Sequence, residues 1–234
     1  MTASAKTSGF RQKLGYHPAL LGLVVLISSA ALVYVNFQTK DVITRRADED
    51  LQKSLQQVVP ADLYDNELLK DSVVIKSRDV TGQPVSTTFY RARNHGKIVA
   101  LAFPTTGYGY SGAINMIIGI DTHGTLLGVR IIAHSETPGL GDKIEAGKSK
   151  WIFGFKGLSL GNPPESHWAV KKDGGDFDSF TGATITPRAV VAAIRNGLEE
   201  FSAHRDEVLK DITKTAAPTE TSKPDQAEGK KDGR

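Results

Sequence analysis

The longest apolar run in the chain is Ala19 to Val35, ALLGLVVLISSAALVYV, seventeen residues without a charge. As a helix it covers about 26 Å, and with Phe37 and the flanking residues it can just cross a bilayer. Tyr34 stands where an interfacial aromatic would, and Ser28 and Ser29 can bond back to helix carbonyls. The run is longer than a signal-peptide core and no convincing small-x-small cleavage site follows it, so it reads as an uncleaved anchor. Beyond it, from Thr39 to Leu69, Leu51, Leu55, Val58 and Val59 recur on one side of a helical pattern that Pro60 breaks. This segment reads as a stalk or an N-terminal extension of a folded domain.

The rhythm then shortens. Val73 to Lys76, Thr87 to Tyr90 and Lys97 to Phe103 read as strands, separated by the turn formers Gly82, Pro84, Asn94 and Gly96. Ala113 to Ile120 and Leu126 to Ala133 form the clearest strand pair, with Asp121 to Gly124 as a hairpin connection. A Gly/Pro-rich loop follows from Ser135 to Gly141, then a predicted helix near Lys148 to Phe155 and a predicted strand around Trp168 to Lys171. Val190, Val191, Ile194, Leu198 and Phe201 fall on one 3.6-period stripe, with Thr186 suited to the N-cap and Pro187 to the first helical position. The fold class is α+β, an antiparallel sheet with helices packed against it. From Thr213 onward large apolar residues almost vanish, which predicts a disordered tail.

At 234 residues the chain holds one or two domains. Its 29 basic and 26 acidic residues are interspersed, so a pI near 9.0 marks no basic stripe and nucleic-acid binding is not expected. There is no cysteine, which excludes disulfides, thiol catalysis and cysteine-ligated iron-sulfur clusters in this chain. Electron transfer by this chain would need a bound organic cofactor. Lys6, Arg11 and Lys13 before the span balance Lys40, Arg45 and Arg46 after it, so charge alone leaves orientation open.

The most informative stretch is Asp178-Ser-Phe-Thr-Gly-Ala-Thr184, where a threonine hydroxyl stands among small residues just ahead of the striped helix. Read locally, Thr184 and Thr186 cap that helix. Its first turn has no acid and contains Arg188, a mismatch that a bound phosphate would resolve. Lys171, Lys172 and Arg188 are candidate phosphate counter-charges, or simply solvated cations. Gly107 to Gly112 satisfies G-x-G-x-x-G, but a β-like segment follows it and no acid stands at the ribose offset, so a Rossmann turn is rejected. His134 and Glu136 could form an acid/base pair or two metal ligands, though a metal needs more ligands than this stretch offers, or be structural. Asp173, Asp176 and Asp178 miss the EF-hand spacing and read as a solvated turn.

The pattern Asp-x-x-Thr-Gly-Ala-Thr resembles the covalent flavinylation motif of FMN-binding domains. Gly109 to Gly112, His134 to Ile144 and Trp168 to Asp178 resemble the G subunit of the Rnf (Rsx) electron-transport complex. The likeness runs from roughly Ala19 to Phe201. The C subunit of the sodium-translocating NADH:quinone reductase is a more distant relative.

The resemblance implies residues 1–17 in the cytoplasm, a transmembrane helix at 18–38, a stalk and extension at 39–90, an FMN-binding domain at 91–205 and a tail at 206–234. It implies FMN joined through its phosphate to Thr184. Asp178, Thr181, Gly182 and Ala183 complete the motif, and Glu136, Thr137 and Leu140 are pocket contacts. It further implies a single-pass inner-membrane subunit with a periplasmic domain, working with the membrane and iron-sulfur subunits of an Rnf-type complex. Maturation would need an FAD-dependent flavin transferase. The complex would couple electron transfer between ferredoxin and NAD to ion translocation. An FMN-binding sensor and a non-redox interaction module are the alternatives.

Overall fold

In the computed structural model, which describes residues 8–78 and 84–210, the apolar span and the segment after it form one helix, α1 (Ser8–Val58). No proline lies between Pro18 and Pro60, so helical hydrogen bonding can continue from the span into the stalk. Residues Pro18–Thr39 are apolar and long enough to cross a membrane, and none of them is buried by the rest of the chain. At its far end α1 becomes a core element, with Leu55, Val58 and, just beyond the helix, Val59 buried.

Five antiparallel strands follow in sequence order: β1 (Ser72–Arg78), β2 (Pro84–Asn94), β3 (Lys97–Tyr108), β4 (Ala113–Asp121) and β5 (Leu126–Ala133). Alternation assigns each strand two faces. On β3, Ala100 and Ala102 join the cluster around the end of α1, whereas Leu101 and Phe103 join the larger core. Small residues let α1 approach: a Cβ on Gly119 would strike the Val58 carbonyl, and one on Gly128 would lie 3.3 Å from that oxygen. The opposite face is covered by α2 (Ile185–Ala203), whose predicted stripe of Val190, Val191, Ile194, Leu198 and Phe201 is buried throughout. Gly107 brings β3 close to this helix, since a Cβ there would meet the Ala189 carbonyl at 2.8 Å. The N-terminal half of α2 therefore lies over the end of β3.

Between β5 and α2 the structure departs from the predicted elements. The expected helix near Lys148 is a single 3-10 run, Trp151–Phe155, and the expected strand at Trp168 is reduced to one bridge between Val170 and Phe177. Aromatic contacts do there what a ladder would have done. Phe155 stacks on Phe177 with centroids 4.8 Å apart, Trp168 lies 5.2 Å from Phe177, and the Trp168 indole N–H donates to the Pro163 carbonyl.

After α2, α3 (Arg205–Val208) buries Val208, and the Arg91 guanidinium donates to the Lys210 carbonyl at 3.1 Å. Residues 206–210, at the start of the expected tail at 206–234, are thus tied to the domain through Val208 and the Lys210 carbonyl. The predicted disorder from Thr213 onward lies outside the described residues.

Candidate functional site

Three irregular segments meet beside the N-terminal end of α2. The first is the β3–β4 turn, closed by the Gly109 N–H donating to the Gly112 carbonyl at 2.8 Å. G-x-G-x-x-G here spans a hairpin between two strands, in keeping with the rejection of a dinucleotide turn. The second runs from His134 to Gly141, and the third from Thr181 to Thr186. Together they enclose a cavity of about 320 Å³. Tyr110 lines it from the first segment, Glu136, Thr137, Leu140 and Gly141 from the second, and residues 182–186 from the third. Of the residues singled out in the sequence, Glu136, Thr137, Leu140, Gly182, Ala183 and Thr184 are brought together. Thr181 and Asp178 stand outside the lining.

Neither threonine hydroxyl caps the helix. α2 begins at Ile185, one residue before the predicted cap, and Thr184 occupies the boundary in αR conformation without a side-chain capping bond. Thr186 is buried, and its hydroxyl donates to Oε2 of Glu136. The reason is the cost of burying a carboxyl group, which must find donors. Glu136 is only 5% exposed, and its Oε1 accepts from the Ser111 N–H at 2.9 Å. Gly109 and Gly141 enclose the same group. A Cβ on the first would sit 2.5 Å from Oε1 of Glu136, and one on the second 2.9 Å from Oε2. Gly182 adopts φ +81°, a conformation glycine takes without steric cost, and so turns the chain toward Thr184.

The Thr184 hydroxyl accepts a hydrogen bond from Lys172 Nζ at 2.9 Å. The neighbouring cations are paired. Lys171 meets Asp178 at 2.7 Å, and Arg188 grips Asp173 through Nε at 2.6 Å and Nη2 at 2.8 Å. That fork holds the Asp173 carboxyl below its usual range and raises Arg188. The first turn of α2 therefore obtains its acid from Asp173, and Arg188 is not waiting for a phosphate. Asp176 pairs with His167 at 3.0 Å, so each aspartate of this turn has a basic partner. The Asp178 carbonyl accepts from the Trp151 indole N–H at 2.9 Å, which fixes the start of the motif.

His134 and Glu136 meet through the backbone. The Glu136 N–H donates to Nδ1 of His134 at 3.0 Å, which leaves that nitrogen unprotonated and assigns the proton to Nε2, 2.9 Å from Glu145. Lys148 bridges Glu145 at 2.7 Å and Asp142 at 2.9 Å. Glu145 is held below its ordinary pKa by Lys148 first and His134 second. Asp142 is held below its own by the Gly139 amide first and Lys148 second. These bonds brace the loop that carries Glu136, Thr137 and Leu140.

Gly141 and Ile185 are lining residues that sequence reasoning did not select, Thr186 was selected only as a helix cap, and Tyr110 comes from the glycine-rich loop that the resemblance makes a candidate wall of the flavin pocket. The glycine-rich turn and the GLGD segment were the available signals. The pairing of Lys172 with Thr184 across twelve residues of irregular chain follows no periodicity. The lining combines two chemistries. Tyr110, Leu140 and Ile185 expose apolar surface at its rim, and Thr184 presents a hydroxyl beside an ammonium. Both are complementary to an amphiphile with an apolar body and an anionic group.

Comparisons with known proteins agree with that chemistry. Residues 109–199 match the FMN-binding domain family, a stretch that takes in all three segments of the cavity. The G subunit of the ion-translocating oxidoreductase complex from Cereibacter sphaeroides is 47% identical over 81% of this chain and 85% of its own. The corresponding G subunit from Shewanella loihica is 44% identical over 82% and 91%, and that from Pseudomonas aeruginosa 42% over 89% and 96%. The crystal structure of Shewanella oneidensis NqrC aligns with a TM-score of 0.52 over 68% of this chain and 96% of that one, at 20% identity, which shows a shared fold. With identity of this order over four-fifths of its length, the chain belongs to the family of G subunits of ion-translocating oxidoreductase complexes.

Proposed function

We propose that this protein is a single-pass inner-membrane electron-transfer subunit that carries FMN as a phosphoester on Thr184 and works within an Rnf-type complex. The observation that carries the reading is the state of the Thr184 hydroxyl. It lies at the cavity, it caps no helix, and its preceding neighbours Gly182 and Ala183 are small. Bound FMN supplies the redox chemistry, and the chain supplies attachment, orientation and the local dielectric. Thr184 and Lys172 meet the phosphate end. Tyr110, Leu140 and Ile185 give the ring an apolar bed, and the braced loop holds Glu136 and Thr137 beside it. Asp178 and Thr181, outside the lining, are left for recognition of the motif by an FAD-dependent flavin transferase.

In this reading residues 1–17 are cytoplasmic, 18–38 cross the membrane, 39–90 form a stalk and an N-terminal extension that supplies β1 and most of β2 to the sheet, and the cavity within 91–205 faces the periplasm. The partners are the membrane and iron-sulfur subunits of the complex, with ferredoxin and NAD as the ends of the electron path and ion translocation as the output. The test is flavin fluorescence of the denatured, gel-resolved chain together with its intact mass, after co-expression with the transferase. Wild type gains one FMN less one water, and Thr184→Ala remains dark. A dark wild-type band beside an active transferase would return Thr184 to a structural role.

A further inference from the structure

Three cations stand near Thr184, and the structure separates them. Lys171 is held by Asp178 and Arg188 by Asp173, whereas Lys172 has no ion-pair partner among the described residues and reaches the Thr184 oxygen. We propose that Lys172 is the positioning residue for flavin attachment, presenting the Thr184 hydroxyl for phosphoryl transfer and offsetting the charge of the phosphodiester that forms. This rests on the reading of Thr184 as the attachment point.

The chemistry follows from what an ammonium can do. It has three donors and no acceptor, so it engages a lone pair of Oγ1 and leaves the hydroxyl hydrogen directed elsewhere. Lys172 in this state cannot take the proton, which passes to a base of the transferase. The Oγ1–P bond forms, the P–O bond of the FAD diphosphate breaks, and AMP leaves. The ammonium stabilises charge developing on Oγ1 and then faces a product with one negative charge.

Its placement is built rather than incidental. Lys172 sits in the 3-10 turn Lys171–Asp173, which Gly174 closes at φ +88°. Asp173, the next residue, is gripped by Arg188 in the first turn of α2. Gly175 packs so tightly on the Ala169 carbonyl that a Cβ would not fit, and Val170 is buried. The turn is thereby tied to the helix that begins beside Thr184.

The test uses the full chain in detergent, produced without the transferase and then incubated with purified transferase and FAD. Initial rates of covalent fluorescence at several chain concentrations give kcat and KM. Lys172→Met is expected to lower kcat on the order of a hundredfold with KM unchanged, the scale of losing one donor at a transferring centre. Lys172→Arg restores most of the rate, and Lys76→Met, an exposed position on β1, labels like wild type. Lys172→Met labelling at the wild-type rate would overturn the proposal. So would a defect confined to KM, because the lysine would then serve docking of the transferase. In both cases an unlabelled Thr184→Ala leaves the attachment reading standing. Full labelling of Thr184→Ala would sink that reading and this proposal with it.

Discussion

The hydroxyl of Thr186 donates to the buried carboxyl of Glu136 across fifty residues of sequence, joining the first turn of α2 to the loop after β5. The other carboxyl oxygen is satisfied by the Ser111 amide, so the two bonds hold all three segments of the cavity together. Replacing Thr186 by Val keeps the shape and removes one donor from a buried acceptor. The expected cost is about 1–3 kcal/mol, with Thr186→Ser losing far less. Both tryptophans of the chain, Trp151 and Trp168, lie in the domain, so denaturant titration by their fluorescence measures this. Equal midpoints for Thr186→Val and wild type would remove this bond from the account of how the cavity is held.

The docking of α1 on the sheet makes a second, graded prediction. Gly119 lies directly under Val58, and Gly128 leaves room for a Cβ at the limit of normal contact. Alanine at Gly119 forces the helix end or the strand to move, a strain of about 1–3 kcal/mol. Gly128→Ala should cost clearly less. The same denaturant titration ranks the two, and a reversed order would mean that α1 does not rest on the sheet through this row.

The regular parts of this fold were legible because burial there follows a period. Alternation along β3 to β5 and the stripe on α2 each correspond to a covered face, and those residues are core. The segment between β5 and α2 was not legible for the converse reason. Its burial comes from contacts such as Phe155 with Phe177, which no local pattern encodes. The same holds at the site. Capping preference assigned Thr186 to the helix end because Glu136, fifty residues away, is invisible to it. Arg188 looked unmatched because Asp173 arrives from outside the helix. The end of the motif lines the cavity, and tertiary contacts decide what each side chain touches there.

The brace around Lys148 sets a pH dependence. Glu145 and Asp142 have lowered pKa values in the folded protein, so their contribution is complete above the ordinary carboxylate value near ~4 and is lost as pH falls through the depressed value. Lys148 is raised, so its contribution is complete below its ordinary value of ~10.4 and is lost as pH rises above the elevated one. The loop from His134 to Lys148 should therefore loosen in acid below the carboxylate range and hold through neutrality. Hydrogen exchange, corrected for the intrinsic pH effect on amide rates, would show protection in this loop falling ahead of that in β3 and β4. Loss in parallel with the strands would mean that these ion pairs do not control the loop.

Orientation can be read directly because the chain has no cysteine and a single introduced thiol is unique. Lys76 is exposed on β1, and Ser4 lies on the other side of the apolar span in sequence. With the domain outside, Lys76→Cys in intact spheroplasts should react with a membrane-impermeant maleimide, and Ser4→Cys should react only after the membrane is opened. Positive charges flank the span on both sides, so the sequence does not force this outcome. The reverse labelling would move the cavity to the cytoplasmic face, where a periplasmic flavin transferase could not reach Thr184. It would therefore overturn the proposed topology and its route of maturation together.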